Sequence, residues 1–177
     1  MTRKQLEHAI RAACYVSDDT EIWIFGSQAI LGEFPDAPES VRTSIEVDVQ
    51  PKNHPDTTDI INGALGELSL FHQTHGFYVH GMPIASVCMP AGWEKRVIRV
   101  YDEIETRGNT GWCVEVHDLC ASKLVAYRDK DRDFVRSLLI EKMTDASTLI
   151  KRISNLCVDK PFRNKLTLWV EKTDEEL

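Results

Sequence analysis

The sequence predicts an α/β (α+β) fold, with a mixed sheet flanked by helices and a helical C-terminal part. Apolar and alternating segments typical of strands occur in the first two-thirds of the chain. Amphipathic patterns typical of helices occupy the last third, and no repeat or linker separates the two parts. This order favours one layered domain over residues 1–177, with a core over about 20–140 and C-terminal helices over about 117–173.

Composition and charge limit the class of protein. The chain of 177 residues is 42% hydrophobic and 28% charged, as expected of a globular protein that buries a core. No apolar run approaches the roughly 20 residues of a membrane helix, and the N-terminus lacks a secretory signal. We therefore expect no membrane partner and a cytoplasmic location. The net charge of −7 argues against broad electrostatic capture of nucleic acid but leaves room for a local basic patch.

The five cysteines are predicted to be unpaired thiols. Their number is odd, and no two of them form a Cys-x-x-Cys pair, which argues against a disulfide framework and against a zinc ribbon. Cys113 and Cys120 stand among apolar neighbours, so buried, reduced side chains are expected there.

The N-terminal elements follow from hydrophobic spacing and from turn residues. Leu6, Ile10 and Ala13 have helical spacing, and Ile45 and Val47 alternate with polar residues as in a half-buried strand. The predicted elements are a helix over 3–15, a buried strand over 21–25, helical turns over 28–31, a loop over 32–42, a strand over 43–50 and a helix from Pro55 to about Leu68.

The C-terminal elements are predicted from short β-rich runs and from helix caps. Gly81-Met82-Pro83 suggests a turn, and aspartates at 118 and 129 suggest helix starts. The predicted elements are a hairpin of 77–80 with 84–88, strands over 97–100 and 112–116, a helix from Asp118 through Tyr127, a helix from Asp129 through Lys142, and helices near 145–156 and 161–173.

The most informative stretch is a Gly-Ser pair followed by two spaced acids. Gly26 and Ser27 follow a buried strand and precede a helical turn, so backbone N–H groups there can approach a phosphate closely. Glu46 and Asp48 share one face of a strand, with Cα atoms about 6.6 Å apart. Converging carboxylates suit a hard cation such as Mg²⁺ (or Mn²⁺) that keeps positions open for phosphate oxygens. The pattern predicts a site for a divalent cation and a nucleoside triphosphate.

A structural interpretation of the same acids stands beside the functional one. Taken alone, Glu46 and Asp48 resemble the solvated face of an edge strand, and that interpretation is then the better one. Their position after a strand, a Gly-Ser pair and a helical turn reverses the preference and favours a site.

These motifs resemble the signature of the nucleotidyltransferase superfamily. That signature is a hydrophobic strand, Gly-Ser or Gly-Gly, a spacer, and acid-x-acid on the next strand, and Gly26, Ser27, Glu46 and Asp48 match it. The segment 116–131 is similar to the lysine and Arg-x-Lys-Asp segments of the AbiEii/MenA toxin-like nucleotidyltransferases and their uncharacterised relatives. Together the resemblances span roughly residues 20–140.

The resemblance implies roles for two further residues. In such families the matched lysine contacts the nucleotide phosphates and the matched aspartate supports the active site, which nominates Lys123 and Asp131. A lysine among the apolar residues 119–126 is unusual unless its ammonium reaches a carboxylate or an anion. The alternatives are a lysine that snorkels from its helix and an aspartate that complements a helix dipole.

The sequence departs from the family pattern at two points. Glu46 is a glutamate where the superfamily usually has aspartate. The third carboxylate, which would activate the attacking group, has no clear match. Glu115 is the best candidate for it, although an ordinary exposed strand acid is the more conservative interpretation. Without a third acid, catalysis would be weak, substrate-assisted or absent.

Three histidines cluster in sequence, at His72, His75 and His80. Substrate contact or a plain structural role is favoured over a zinc site, because the nearby acids are hard oxygen ligands.

The resemblance implies transfer of a nucleotidyl group from a nucleoside triphosphate to an RNA or protein acceptor, in a toxin–antitoxin or phage-defence system with a cognate antitoxin. The alternative is a catalytically silent module that binds a nucleotide or a partner protein. Base preference and acceptor identity do not follow from the sequence.

Overall fold

A computed structural model describes residues 1–177 and has the mixed α/β architecture that the sequence predicts. The strands are β1 (Glu21–Phe25), β2 (Glu46–Pro51), β3 (Tyr78–Gly81), β4 (Ile98–Tyr101) and β5 (Thr110–Cys113). The helices are α1 (Arg3–Ser17), α2 (Ile30–Glu33), α3 (Thr58–Leu65), α4 (Leu70–His75), α5 (Val116–Ala126), α6 (Asp129–Ile140), α7 (Ala146–Ser154) and α8 (Lys160–Glu175). Helices therefore flank the sheet and form the C-terminal part, as expected.

The five strands form one mixed sheet in the order β3-β2-β1-β5-β4. Strand β1 pairs antiparallel with β2 and parallel with β5, while β2 pairs parallel with β3 and β4 pairs antiparallel with β5. In this register Asp48 lies opposite Phe25 on one side and opposite His80 on the other. Three neighbouring strands thus meet around Asp48.

Helix α1 covers one face of the sheet. Ile10 on α1 and Ile24 on β1 are fully buried, and both lie so close to Gly111 on β5 that a Cβ at that glycine would overlap them. Thr2 and Gln5 form a reciprocal capping box that satisfies the first N–H groups of the helix. The opposite face of β2 carries Glu46 and Asp48 and is left to the site.

The C-terminal helices are attached to the sheet through α5. Asp118 on α5 is fully buried and accepts hydrogen bonds from Arg96 Nε at 2.7 Å and from Arg96 Nη2 at 3.0 Å. Arg152 on α7 lies 3.2 Å from the same carboxylate. Because a buried carboxylate is costly unless it is paired, these arginines hold α5, α7 and the segment before β4 together.

The segment after β2 differs from the single helix expected up to Leu68. A 3₁₀ turn over Pro55–Thr57 leads into α3, which ends at Leu65, and the separate helix α4 follows. Leu68 has a positive φ of 66°, which interrupts the helix. Ser69 then caps α4 by accepting a hydrogen bond from the His72 N–H.

The predicted hairpin of 77–80 with 84–88 is wrong. Strand β3 pairs in parallel with β2, and Ile84–Ser86 is a 3₁₀ turn. Pro83 follows β3 closely, and the Ile84 N–H donates to Gln50 Oε1 at 2.6 Å rather than to β3. Strand β3 therefore pairs with the free edge of β2 and not, across a local turn, with residues 84–88.

Four further boundaries are corrected. Strand β2 begins at Glu46 rather than Thr43, and β5 ends at Cys113 rather than Val116. The N-cap of α5 is Glu115, whose carboxylate accepts the Asp118 N–H, so Asp118 lies inside the first turn. Arg128, not Asp129, occupies the N-cap position of α6, and its side chain makes no capping hydrogen bond.

All five cysteines are free thiols, and Cys14, Cys113 and Cys120 are buried. Burial raises the pKa of the Cys113 thiol to about 12, so this side chain behaves as a small apolar group. None of the helices has both the length and the apolar character needed to cross a lipid bilayer.

Asp19 joins the start of β1 to the end of β2. It is 6% exposed, and its carboxylate accepts hydrogen bonds from the backbone N–H groups of Thr20, Glu21, Asn53 and His54 and from the Asn53 amide. Burial alone would raise the pKa of Asp19, but these hydrogen bonds outweigh it and hold the pKa below its ordinary value.

We expect Asp19→Asn to lower the free energy of unfolding at pH 7 by about 1–3 kcal/mol, because an amide N–H₂ would face N–H donors. A carboxyl group whose pKa is lower in the folded than in the unfolded protein stabilises the fold at pH values above its unfolded-state pKa. This stabilisation is lost as the pH falls towards the folded-state pKa. The difference between the variant and the wild type should therefore shrink below about pH 4. Urea unfolding at several pH values tests this. Asp18→Asn, at an exposed neighbouring position, should show no such pH-dependent difference.

Candidate functional site

A cleft of about 660 Å³ lies between the sheet and helices α5 and α6. Its walls include Phe25, Gly26, Ser27, Ser44, Glu46, Asp48, His80, Ser122, Lys123, Arg128, Lys130 and Asp131. All six residues that the sequence nominated for a site therefore line this one cleft. A second hollow of about 700 Å³ beside His117 and Leu177 contains none of them.

The Gly-Ser turn brings its backbone against the acidic strand. Gly26 ends β1 with φ 71° and ψ −173°, a conformation that only glycine adopts readily. A Cβ at Gly26 would overlap Asp48 Oδ2 and lie 3.0 Å from Asp48 Cγ. The helical segment that follows is only a 3₁₀ turn, Ser27–Ala29, and the four-residue α2. An anion bound at this turn would therefore be contacted closely by backbone groups, without the dipole of a long helix.

Glu46 and Asp48 face the cleft from β2, where the buried Val47 and Val49 point to the other side. Their side chains are 37% and 21% exposed. The third member of the group is His80 on β3, whose Nδ1 lies 3.0 Å from Asp48 Oδ1 and 3.1 Å from Glu46 Oε1. One ligand atom from each residue lies within 4.8 Å of the others, which is close enough for all three to reach one cation.

The electrostatics of the two acids also suit a cation. Burial raises the pKa of Asp48, and burial followed by repulsion from Asp48 raises the pKa of Glu46. Both shifts mean that the ionised forms are disfavoured in the folded protein. A bound divalent cation would remove this penalty, so the donor set fits a metal of the kind that the sequence predicts.

Lys123 is held by a buried carboxylate rather than extended into solvent. Its side chain is 14% exposed, and Nζ lies 3.4 Å from Asp131 Oδ1, which is itself almost completely buried. Arg128 binds the same carboxylate through Nε at 2.5 Å and Nη2 at 3.2 Å. Burial lowers the pKa of Lys123, while Arg128 and Lys123 outweigh burial and lower the pKa of Asp131. Asp131 therefore positions two cationic side chains on the cleft wall.

Glu115 does not provide the missing third acid. Its carboxylate caps α5, contacts His117 Nδ1 at 2.5 Å and lies 3.8 Å from Arg152, outside the cleft. The strand that was expected to carry it ends earlier, so the side chain turns into the α5–α7 interface. The third group beside Glu46 and Asp48 is a histidine instead.

The three clustered histidines have separate environments. His72 packs against Tyr78 and accepts the Leu68 N–H, whereas His75 packs against His8. Only His80 reaches the acids. Spacing in sequence could not single it out, because its place beside Asp48 depends on the parallel pairing of β3 with β2. Arg128 and Lys130 also line the cleft without having been nominated.

We expect Gly26→Ala to abolish cation-dependent nucleotide binding, because the added methyl group must displace the Asp48 carboxylate. The backbone conformation alone costs an L-residue about 1–3 kcal/mol, so the thermal midpoint should fall as well. Calorimetric titration and thermal unfolding measure the two effects. Gly63→Ala is the matched control, because Gly63 lies in α3 and a Cβ there would have no neighbour within 4 Å. Wild-type affinity in Gly26→Ala would mean that this close approach is not required.

A Gly-Ser turn, an acid-x-acid strand and a lysine surround one cleft, which is the arrangement that the resemblance to nucleotidyltransferases implies. A family model described as "Nucleotidyltransferase of unknown function (DUF6036)" matches residues 4–172. Because the match covers nearly the whole chain, the protein belongs to this family. The match supports the superfamily but not the AbiEii/MenA subgroup. No curated protein and no solved structure gives a significant match.

Proposed function

We propose that the protein transfers a nucleotidyl group from a nucleoside triphosphate to a hydroxyl group of an acceptor, with a divalent cation, Mg²⁺ or Mn²⁺. The observation that carries this proposal is the convergence of Glu46, Asp48, Lys123 and the Gly26-Ser27 turn on one cleft. In the reaction, the acceptor oxygen bonds to the α-phosphorus, the bond to the bridging oxygen breaks, and pyrophosphate leaves with the electron pair. The hydroxyl proton passes to water.

The residues divide into two groups by role. Glu46 and Asp48 would hold the cation, which neutralises phosphate charge when bound. The Gly26-Ser27 backbone and the Lys123 ammonium would bind the triphosphate oxygens, since a lysine held among partly buried groups acts as a fixed positive charge. Asp131 would keep the Lys123 side chain in place.

The acceptor is proposed by resemblance. Toxin-like nucleotidyltransferases suggest an RNA end or a protein side chain, together with a cognate antitoxin. The net charge of −7 gives no special support to RNA. Arg128 and Lys130, on the cleft wall, are basic groups that could contact an anionic acceptor.

A second function, a silent module that binds a nucleotide or a partner protein, is favoured by one observation. The group beside Glu46 and Asp48 is His80 rather than a third carboxylate, and Glu115 lies elsewhere. A binding module needs the cation and phosphate contacts but no group to activate an acceptor.

Transfer of radiolabel distinguishes the two functions. The protein is incubated with each α-³²P-labelled triphosphate, Mg²⁺ or Mn²⁺, total RNA and lysate protein. An enzyme should label RNA or protein from one or more of these nucleotides, and the label should be absent with Asp48→Asn. The same triphosphate labelled at the γ-position should give no label that depends on the protein, since that phosphate leaves with pyrophosphate. Tight nucleotide binding without any transfer would instead support the silent module.

A further inference from the structure

His80 completes a group of three potential cation ligands in the cleft. Strand register places it directly across from Asp48 on the neighbouring parallel strand. Its Nδ1 atom faces both carboxylates, at 3.0 Å from Asp48 Oδ1 and 3.1 Å from Glu46 Oε1. The side chain is 42% exposed, so it is not packed there as part of the core.

These separations match the edge of an octahedral coordination shell. With ligand bonds of about 2.1 Å, neighbouring ligands of an octahedral ion lie about 3.0 Å apart. The distances from Nδ1 to the two carboxylate oxygens are 3.0 and 3.1 Å. One potential ligand atom from each of the three residues lies within 4.8 Å of the others, so one cation could reach all three, and three octahedral positions would remain for phosphate oxygens or water.

We propose that His80 is the third protein ligand of the cation and that the site consequently prefers Mn²⁺ to Mg²⁺. The inference rests on the cation site of the proposed function and adds the identity of the metal. Imidazole nitrogen strengthens binding of transition-metal ions, whereas Mg²⁺ takes oxygen ligands almost exclusively. Mn²⁺ accepts the two carboxylates equally well and keeps the octahedral positions that a triphosphate needs.

The metal can be tested without any turnover. Mn²⁺ alone is titrated into the protein and followed by electron paramagnetic resonance, and Mg²⁺ is then added as a competitor. Pulsed measurements detect the ¹⁴N coupling of a nitrogen bonded directly to Mn²⁺. The wild type should show this coupling and bind Mn²⁺ more tightly than Mg²⁺.

Two substitutions and one control complete the design. His80→Ala should remove the ¹⁴N coupling and weaken Mn²⁺ binding by at least about tenfold while changing Mg²⁺ affinity much less. His80→Asp should shift the preference towards Mg²⁺, because all three protein ligands are then oxygens. His54→Ala, an exposed histidine outside the cleft, should behave as the wild type. Thermal unfolding of each variant confirms that the fold is kept.

The outcomes separate this inference from the proposed function. Wild-type Mn²⁺ binding without ¹⁴N coupling, or full Mn²⁺ affinity in His80→Ala, would overturn the role of His80 and leave the carboxylate site standing. If the wild type binds neither Mn²⁺ nor Mg²⁺, alone or with a triphosphate, both the cation site and the role of His80 are wrong.

Discussion

Asp48→Asn is expected to abolish cation-dependent nucleotide binding while the protein remains folded. Asp48 occupies the centre of the site, since it lies beside the Gly26 backbone, beside His80 and on the same strand face as Glu46. An amide is a poor ligand for a hard divalent cation, so one charged metal bond is lost. Calorimetry with a triphosphate and Mg²⁺ or Mn²⁺ should show no saturable binding in the variant.

The stability of the same variant gives a second, independent expectation. Burial raises the pKa of Asp48, so ionisation of this carboxyl group costs the folded protein some stability. Removing that charge should leave the thermal midpoint of the metal-free protein unchanged or higher. Substitution of a residue kept for function can raise stability in this way, whereas substitution of a residue kept for structure lowers it.

Glu103→Gln is the control for Asp48→Asn. Glu103 is an exposed acid with no side-chain hydrogen bond or ion pair, and its neutralisation should alter neither affinity nor stability by more than about 0.5 kcal/mol. Equal nucleotide affinity in the wild type and in Asp48→Asn would reduce Asp48 to a residue of the sheet surface and remove the basis of the proposed function.

Lys123→Ala is expected to weaken nucleotide binding more than tenfold, that is, by more than about 1.4 kcal/mol. Its ammonium lies on the cleft wall, is largely shielded from water and is held by Asp131 at 3.4 Å. A hydrogen bond from such a charged donor to a phosphate contributes about 1.5–3 kcal/mol, so this threshold is within reach.

The structure changes what the sequence suggests for the stability of this variant. A snorkelling lysine could be replaced by alanine without loss, but Lys123 pairs with a buried carboxylate. Removing it leaves Asp131 with Arg128 alone, so the thermal midpoint should fall modestly rather than stay level. Lys123→Met, which retains the aliphatic chain, should restore packing but not nucleotide affinity.

Lys123→Arg tests whether the site needs a compact charge. A planar guanidinium poorly replaces an ammonium in a tight phosphate site, so affinity should recover only in part. Lys4→Ala, at an exposed position on α1, is the control for the loss of a positive charge. Unchanged nucleotide affinity in Lys123→Ala would exclude a phosphate contact by Lys123. The site would then consist of Glu46 and Asp48 without this lysine.

The sequence by itself determined the features that depend on local periodicity. Alternation along β2 placed Glu46 and Asp48 on one polar face, because side chains on a strand repeat every two residues wherever the strand lies. The apolar run ending at Gly26 indicated a buried strand with a turn after it, and helical spacing indicated α1 and the C-terminal helices. These patterns suffice for the fold class and for most of the site.

Only the tertiary structure decided which strands and side chains meet. His80 reaches Asp48 because β3 pairs with the open edge of β2, an interaction between segments about thirty residues apart that no local turn signal encodes. Glu115 lies outside the site because β5 ends at Cys113 and the Glu115 carboxylate caps α5. The partner of Glu46 and Asp48 is thus a histidine and not a third acid. Long-range strand pairing brings His80 to them, and capping of α5 holds the Glu115 carboxylate elsewhere.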